Sequence, residues 1–402
     1  MEKKYNSSWH SLILSLFFVV AAFGGGFYLG QGDSAPRSLA QNIQKVSETE
    51  EAFNFNIYWE TWGALKEKYF DKNKLNDRDI FYGSLRGLVE AAEDPYTVFM
   101  TPEETKEFNE DMSGVFEGIG AEVGMRDETI TIIAPLAGMP AEKAGLKAGD
   151  KVYAIDGESA LGLSVDQAVK KIRGPKETSV TLTVIRDGET KTREITIERG
   201  LIIIESVKTE LRSDGIMVIT VSNFNDDTEL LFKKAVADTI NNKAKGLILD
   251  LRNNPGGYLD TAILMASEWI EEGPVLLEQN AAGRSQEYGA EGLARLDGFP
   301  TVVLINGGSA SASEIVAGAL RDYHKATLVG EPTFGKGSVQ QIEDLSDGSS
   351  LKVTVATWMT PDGDYINEKG LEPDELVELT NEDFEAERDP QFTRALEILK
   401  KK

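Results

Sequence analysis

Three short, almost wholly apolar runs, Gly246-Leu247-Ile248-Leu249-Asp250-Leu251, Thr301-Val302-Val303-Leu304-Ile305-Asn306 and Ala326-Thr327-Leu328-Val329-Gly330, are separated by helical patterns at 260–270 and 313–323. Strands without a polar face need cover on both sides, so this half of the chain is expected to be an α/β layer around a largely buried sheet. Loops after the carboxyl ends of such strands are the usual place for a site. At 402 residues, and about 150 residues per domain, two or three domains are expected.

Two of those strand ends carry unusual residues. After Leu251 comes Arg252-Asn253-Asn254-Pro255-Gly256-Gly257, a tight turn whose glycines can present backbone N–H groups to an oxyanion. After Asn306 come Gly307-Gly308 and then Ser309-Ala310-Ser311-Ala312-Ser313-Glu314, with Ile315, Val316, Ala319, Leu320 and Tyr323 on one face of the following helix. A serine here sits at a helix N-terminus, where free N–H groups stabilise developing negative charge. Serines here also serve as helix caps, with Glu314 assisting in the first turn. Chemistry alone does not choose among Ser309, Ser311 and Ser313.

The chain has two histidines, and His10 precedes the apolar leader, so a Ser-His-Asp triad would rest on His324 alone. Lys336, between Gly335 and Gly337, is the better base, provided that burial lowers its pKa from about 10.4 toward neutrality. Gln340, four residues on, is expected on the same side of an extended stretch. Its neutral amide could orient the amine without favouring the protonated form.

Lys3 and Lys4 precede an uncharged apolar run at 12–30, and about 20 such residues suffice to cross a bilayer. The positive-inside rule then leaves 1–11 as a cytoplasmic tail and everything after Gly30 outside, beginning with a polar tether at 31–47. The competing reading is a signal peptide cleaved near Asp33-Ser34-Ala35, giving a secreted or periplasmic protein. In the helical region at 48–112, Trp59, Trp62, Leu65 and Tyr69 recur at helical spacing, as do Ile80, Leu85 and Leu88, which implies core packing or an oligomer contact. Apolar faces here and at 392–399 could form a homodimer or pack on the chain's own core. Asp94-Pro95-Tyr96 should end the helical region.

Residues 113–200 read as a compact module of short strands, with Ile130–Ile133 and Val180–Ile185 turned toward a core. Pro140-Ala141-Glu142-Lys143-Ala144-Gly145-Leu146-Lys147-Ala148-Gly149-Asp150-Lys151-Val152, preceded by Gly118-Ile119-Gly120-Ala121, resembles a PDZ domain. The resemblance implies a carboxylate-binding loop at Gly118, Ile119, Gly120 and Ala121, with the next strand adding a peptide to its edge. Arg173, otherwise a solvated surface charge, is a candidate contact between this module and the rest.

Composition narrows the partners. A net charge of −25 argues against nucleic acid, and the absence of cysteine removes thiol catalysis and cysteine-ligated zinc. No metal or other cofactor is expected.

The serine segment, the Gly335-Lys336-Gly337 loop and the 249–257 turn together resemble the carboxyl-terminal processing peptidases, the tail-specific serine peptidases of family S41. Met359-Thr360-Pro361-Asp362-Gly363 and Gly370-Leu371-Glu372-Pro373-Asp374 fall where that family has its Pro-x-Gly and Gly-Ile-x-Pro-Asp stretches. The resemblance implies a crotonase-like α/β core at 201–402, with a C-terminal helical tail and the mainly β PDZ domain inserted near its start. It makes Ser311 the nucleophile, Lys336 the general base and Gln340 the base's partner. The oxyanion hole would be the Ala312 N–H with that of Gly256 or Gly257. The implied function is an exported endopeptidase that recognises protein C-termini. Competing readings are a catalytically dead PDZ adaptor, against which the intact Ser311, Lys336 and Gln340 set argues, and a hydrolase of non-peptide amides or esters, which a carboxylate groove disfavours.

Overall fold

The computed structural model describes residues 54–401 except 127, 187, 188, 190, 381, 384, 385 and 387. The expected tail, anchor and tether at 1–47 lie outside the described residues. No described helix is long and apolar enough to cross a membrane.

The chain divides into a unit ending at Phe81 and one beginning at Tyr82. In the first, Asn56–Lys68 forms the expected helix, followed by the start of Asp77–Glu90. Neither helix buries a residue. Trp59 is 63% exposed, and within its own helix its ring centroid lies 5.1 Å from that of Tyr58 and 6.0 Å from that of Trp62.

In the second unit the strands Val207–Leu211, Ile216–Val221, Gly246–Asp250, Thr301–Ile305, Ala326–Gly330 and Glu375–Leu376 lie in that order in one sheet. The first pair is antiparallel and the rest are parallel. Successive side chains of a strand point to opposite faces, and here both faces are covered. Leu247, Leu249, Val303 and Ile305 pack against Trp269, Ile315, Val316 and Leu320 on one side. Ile248, Val302, Leu304 and Val329 meet Ala395 and Leu399 of helix Pro390–Lys401 on the other. The apolar face at 392–399 thus packs on the chain's own core. Burial on both sides is why these strands show no polar alternation.

A second sheet sets Ser350–Met359 beside Val98–Met100, Pro274–Asn280 and Ser338–Asp344. Its strand Ser338–Asp344 starts two residues after Lys336 and carries a bulge between Val339 and Gln340.

The inserted module is built differently. Ala121–Arg126, Thr129–Pro135, Lys151–Ile155, Ser179–Ile185 and Arg193–Glu198 follow one another in an antiparallel sheet. In Ser179–Ile185 every second residue, Val180, Leu182 and Val184, is fully buried, meeting Ile130, Ile132 and Ile197 in a core of its own. The chain enters along Val115–Gly118 and leaves along Gly200–Ile203, and these two segments pair with Gly118 opposite Gly200. The architecture is an α/β core with an inserted, mainly β domain and an N-terminal helical segment.

Candidate active site

Loops following three parallel strands meet at one end of the core sheet. The serine loop is tied to the 251–257 turn by Ala310 N–H donating to Asn254 O at 3.0 Å, and to the lysine loop by Phe334 N–H donating to Ser309 O at 3.0 Å. Asn306 exchanges bonds with Asn253, its Oδ1 accepting from the Asn253 N–H and its Nδ2 donating to the Asn253 Oδ1, each at 2.9 Å.

These contacts separate the three serines. Ser309 and Ser313 are fully buried, and their hydroxyls donate to Leu251 O at 2.8 Å and Asn254 O at 2.9 Å. Both hold the loop together. Ser311 instead lines a cavity of about 360 Å³ together with Lys336, Gln340, Lys352 and Trp358. It caps helix Ala312–Asp322 at φ 53°, ψ −114°, a strained conformation for a residue with a Cβ. Such strain persists only where the surroundings over-determine it.

Two backbone donors flank Ser311. Among the described residues neither the Ala312 N–H nor the Gly257 N–H has a hydrogen-bond partner, whereas the Gly256 N–H donates to Asn254 Oδ1 at 2.9 Å. Gly256 has φ 101°, and a Cβ there would stand 2.8 Å from Ser311 Cβ and 3.0 Å from Ala312 N. The turn can lie against the serine only because this residue is glycine.

Lys336 is half-buried, with its Nζ 5.2 Å from the Tyr96 ring centroid. Burial disfavours its charge and the Lys352 ammonium adds to that, while Glu314 and Asp94 pull the other way; the outcome lies below the ordinary amine range. Trp358 Nε1 donates to Lys336 O at 3.2 Å and so fixes the loop's backbone. Gln340 lines the same cavity, but its Nε2 donates to Ser338 Oγ at 2.8 Å and Thr354 Oγ1 at 3.3 Å. Among the described residues no hydrogen bond joins it to Lys336, and the bulge after Val339 breaks the simple alternation expected to put both on one side.

Away from this cavity, Gly118-Ile119-Gly120-Ala121 forms the turn between two strands. The Ile119 and Gly120 carbonyls accept from Ala141 N–H at 2.8 Å and Leu136 N–H at 2.9 Å, and among the described residues the amides of Ile119 and Gly120 have no partner. Gly120 has φ 71°, and a Cβ there would strike Met139 Cβ at 2.5 Å. Arg173 lies 4.3 Å over the Phe116 ring and donates to Asp111 at 3.3 Å. Asp111 belongs to helix Pro102–Ser113, whose Phe108 and Met112 line the Ser311 cavity.

Several groups at the site were not legible as such in the sequence. Lys352 and Trp358 were not singled out in the sequence, and Asp94 and Tyr96 stood there only as part of a helix-ending stretch. Glu314 was visible only as a helix-cap residue, although a carboxylate directly before the buried run 315–320 was a signal that it has internal partners.

Residues 215–377 match peptidase family S41, and residues 131–186 match the PDZ domain. The carboxy-terminal processing protease CtpA of Bacillus subtilis (strain 168) is 38% identical over 336 residues, 84% of this chain and 71% of that protein. A "Probable CtpA-like serine protease" of Staphylococcus aureus (strain MRSA252) is 39% identical over 343 residues, 85% of this chain and 68% of that one. Among solved structures, a photosystem II D1 C-terminal processing protease is 30% identical, covers 79% of this chain and 87% of its own, and superposes with a TM-score of 0.51. Fold and sequence agree, and the chain belongs to the carboxy-terminal processing proteases of peptidase family S41, serine peptidases that carry a PDZ domain.

Proposed function

We propose that this peptidase cleaves protein substrates near a C-terminus captured in the PDZ groove, through an acyl-enzyme formed on Ser311. Neutral Lys336 takes the Ser311 proton as Oγ attacks the scissile carbonyl, and returns it to the leaving amine as the tetrahedral intermediate collapses. The N–H groups of Ala312 and Gly257 hold the oxyanion, since the Gly256 donor is already engaged. Water then hydrolyses the ester by the same route. Gln340, which lines the same cavity, orients the amine through its side-chain carbonyl. The observation that carries this reading is a strained serine at a helix N-terminus sharing one cavity with a lysine whose ammonium is disfavoured.

The free amides of Ile119 and Gly120 receive the substrate carboxylate, and the edge of Ala121–Arg126 pairs with the preceding residues. Arg173 couples the two sites by bracing the helix that supplies Phe108 and Met112 to the cavity. From Lys3, Lys4 and the apolar run at 12–30, the peptidase acts on the outer side of a cell membrane to which it is anchored.

The test is labelling by a serine-reactive fluorophosphonate, with mass mapping of the adduct, with and without a peptide ending in an apolar residue and a free carboxylate. The expected adduct is on Ser311, strengthened by peptide and reduced about 10³-fold or more in rate by Lys336→Ala. Labelling elsewhere, or undiminished in Lys336→Ala, would overturn the dyad.

A further inference from the structure

Glu314 lies in the first turn of the serine helix, fully buried, yet it serves two loops. Its Oε2 accepts from the Ser311 N–H at 2.8 Å and from the Lys336 N–H at 2.9 Å. Its Oε1 accepts from the Gly335 N–H at 2.7 Å and from Thr333 Oγ1 at 2.6 Å. A helix cap accounts for the Ser311 bond alone. The other three come from the segment that leaves strand Ala326–Gly330 and carries the lysine. Thr333 is itself held, accepting from the Leu371 N–H at 2.6 Å and bonding Leu371 O through its own amide.

We propose that Glu314 is a positioning residue for the peptide cleavage: one carboxylate oxygen, shared by the backbone amides of Ser311 and Lys336, sets the separation of nucleophile and base and keeps Ser311 in its strained conformation. This rests on the reading of Ser311 and Lys336 as the reacting pair. Charge-assisted bonds to fixed backbone donors are short and directional, which suits a clamp better than a flexible side-chain contact would. Burial pushes the Glu314 carboxyl up, and the four donors oppose that by favouring the charged form. Its charge also reaches Lys336, whose other charged neighbours are Lys352 and Asp94, with the Tyr96 ring beside it. An amide at Glu314 could not accept from all four donors, because its NH2 would face N–H groups.

The test uses the full chain and a peptide substrate with a free carboxylate, with kcat and KM followed across pH for Ser311→Ala, Lys336→Ala, Glu314→Gln and Thr333→Val. Glu314→Gln is expected to fold, to lose about 100-fold in kcat, as for a displacement near 1 Å, with little change in KM. Its acid limb should move to lower pH, because the ammonium of Lys336 loses a stabilising carboxylate. Thr333→Val keeps that charge and should lose about 5-fold in kcat with the limb unmoved. A folded Glu314→Gln with normal kcat, or one whose limb does not move, overturns the clamp. If Glu314→Gln does not fold, Thr333→Val decides: the stated loss at an unchanged melting temperature supports the clamp, and wild-type kcat overturns it. Turnover surviving in Ser311→Ala or Lys336→Ala would instead remove the dyad, a result distinct from dead dyad variants beside a normal Glu314→Gln.

Discussion

The peptidase core and the PDZ module solve different problems with the same backbone. In the core, a parallel sheet covered on both faces delivers three loops to one end, and buried side chains of Ser309, Ser313 and Glu314 fasten them together. In the module, an antiparallel sheet alternates fully buried residues with less buried ones, and the candidate groove is a turn whose Ile119 and Gly120 amides have no partner among the described residues, beside an open strand. Catalysis needs particular side-chain atoms within tenths of an ångström, which calls for buried acceptors at defined positions. Recognition of a carboxylate and an extended chain needs main-chain donors and an edge, which tolerate much more sequence change.

Replacing Gly256 by alanine should break the core's side of the comparison hardest. The new Cβ meets Ser311 Cβ at 2.8 Å in a backbone of φ 101°, and a loss of about 100-fold in kcat is expected. Affinity for a C-terminal peptide, measured by calorimetry, should stay at its wild-type value. Equal loss of both would mean that the turn at Gly256 also supports peptide binding by the module.

The module's own weak point is the pair Asp150–Arg186, with Asp150 fully buried and both guanidinium contacts at 2.7 Å. Asp150→Ala leaves Arg186 without its buried partner and should destabilise the module by about 3 kcal/mol. Calorimetric unfolding should show this as an earlier melt of the module with the core transition unmoved.

A smaller effect should come from Lys352→Met. After burial, the Lys352 charge is the next cause that holds Lys336 below the ordinary amine range. Without it Lys336 keeps its proton to higher pH, so the acid limb of kcat should move upward, opposite to the shift expected for Glu314→Gln. An unmoved limb would mean that Lys336 is not the titrating base.

Arg173→Ala should do least. It removes a cation–π contact with Phe116 of about 0.5–1 kcal/mol and an ion pair in which Asp111 is 61% exposed. The expected sign is weaker stimulation of serine labelling by peptide, with labelling in its absence unchanged. Stimulation at the wild-type level would place coupling between the two regions elsewhere.

Much of the core's architecture and most of the module's were legible in the chain, because periodicity reports local burial. Leu247 and Leu249 against Ile248, or Val180, Leu182 and Val184 in alternation, are patterns within a few residues. The aromatic stripe of Asn56–Lys68 shows the limit: helical spacing identified the helix but said nothing about what covers it, and none of its residues is buried.

At the site, residue type and spacing pointed by themselves to a serine and a lysine at strand ends, and family resemblance singled out Ser311. Tertiary structure turned Ser309 and Ser313 inward, engaged the Gly256 N–H while leaving that of Gly257 without a partner among the described residues, and brought Lys352 and Tyr96 to Lys336. It also put the amides of Ser311 and Lys336 on one oxygen of Glu314. The physical reason is range: a sequence displays which groups a short segment can offer, whereas hydrogen-bond satisfaction and electrostatic neighbours depend on segments far apart in the chain that meet only when the sheet is assembled.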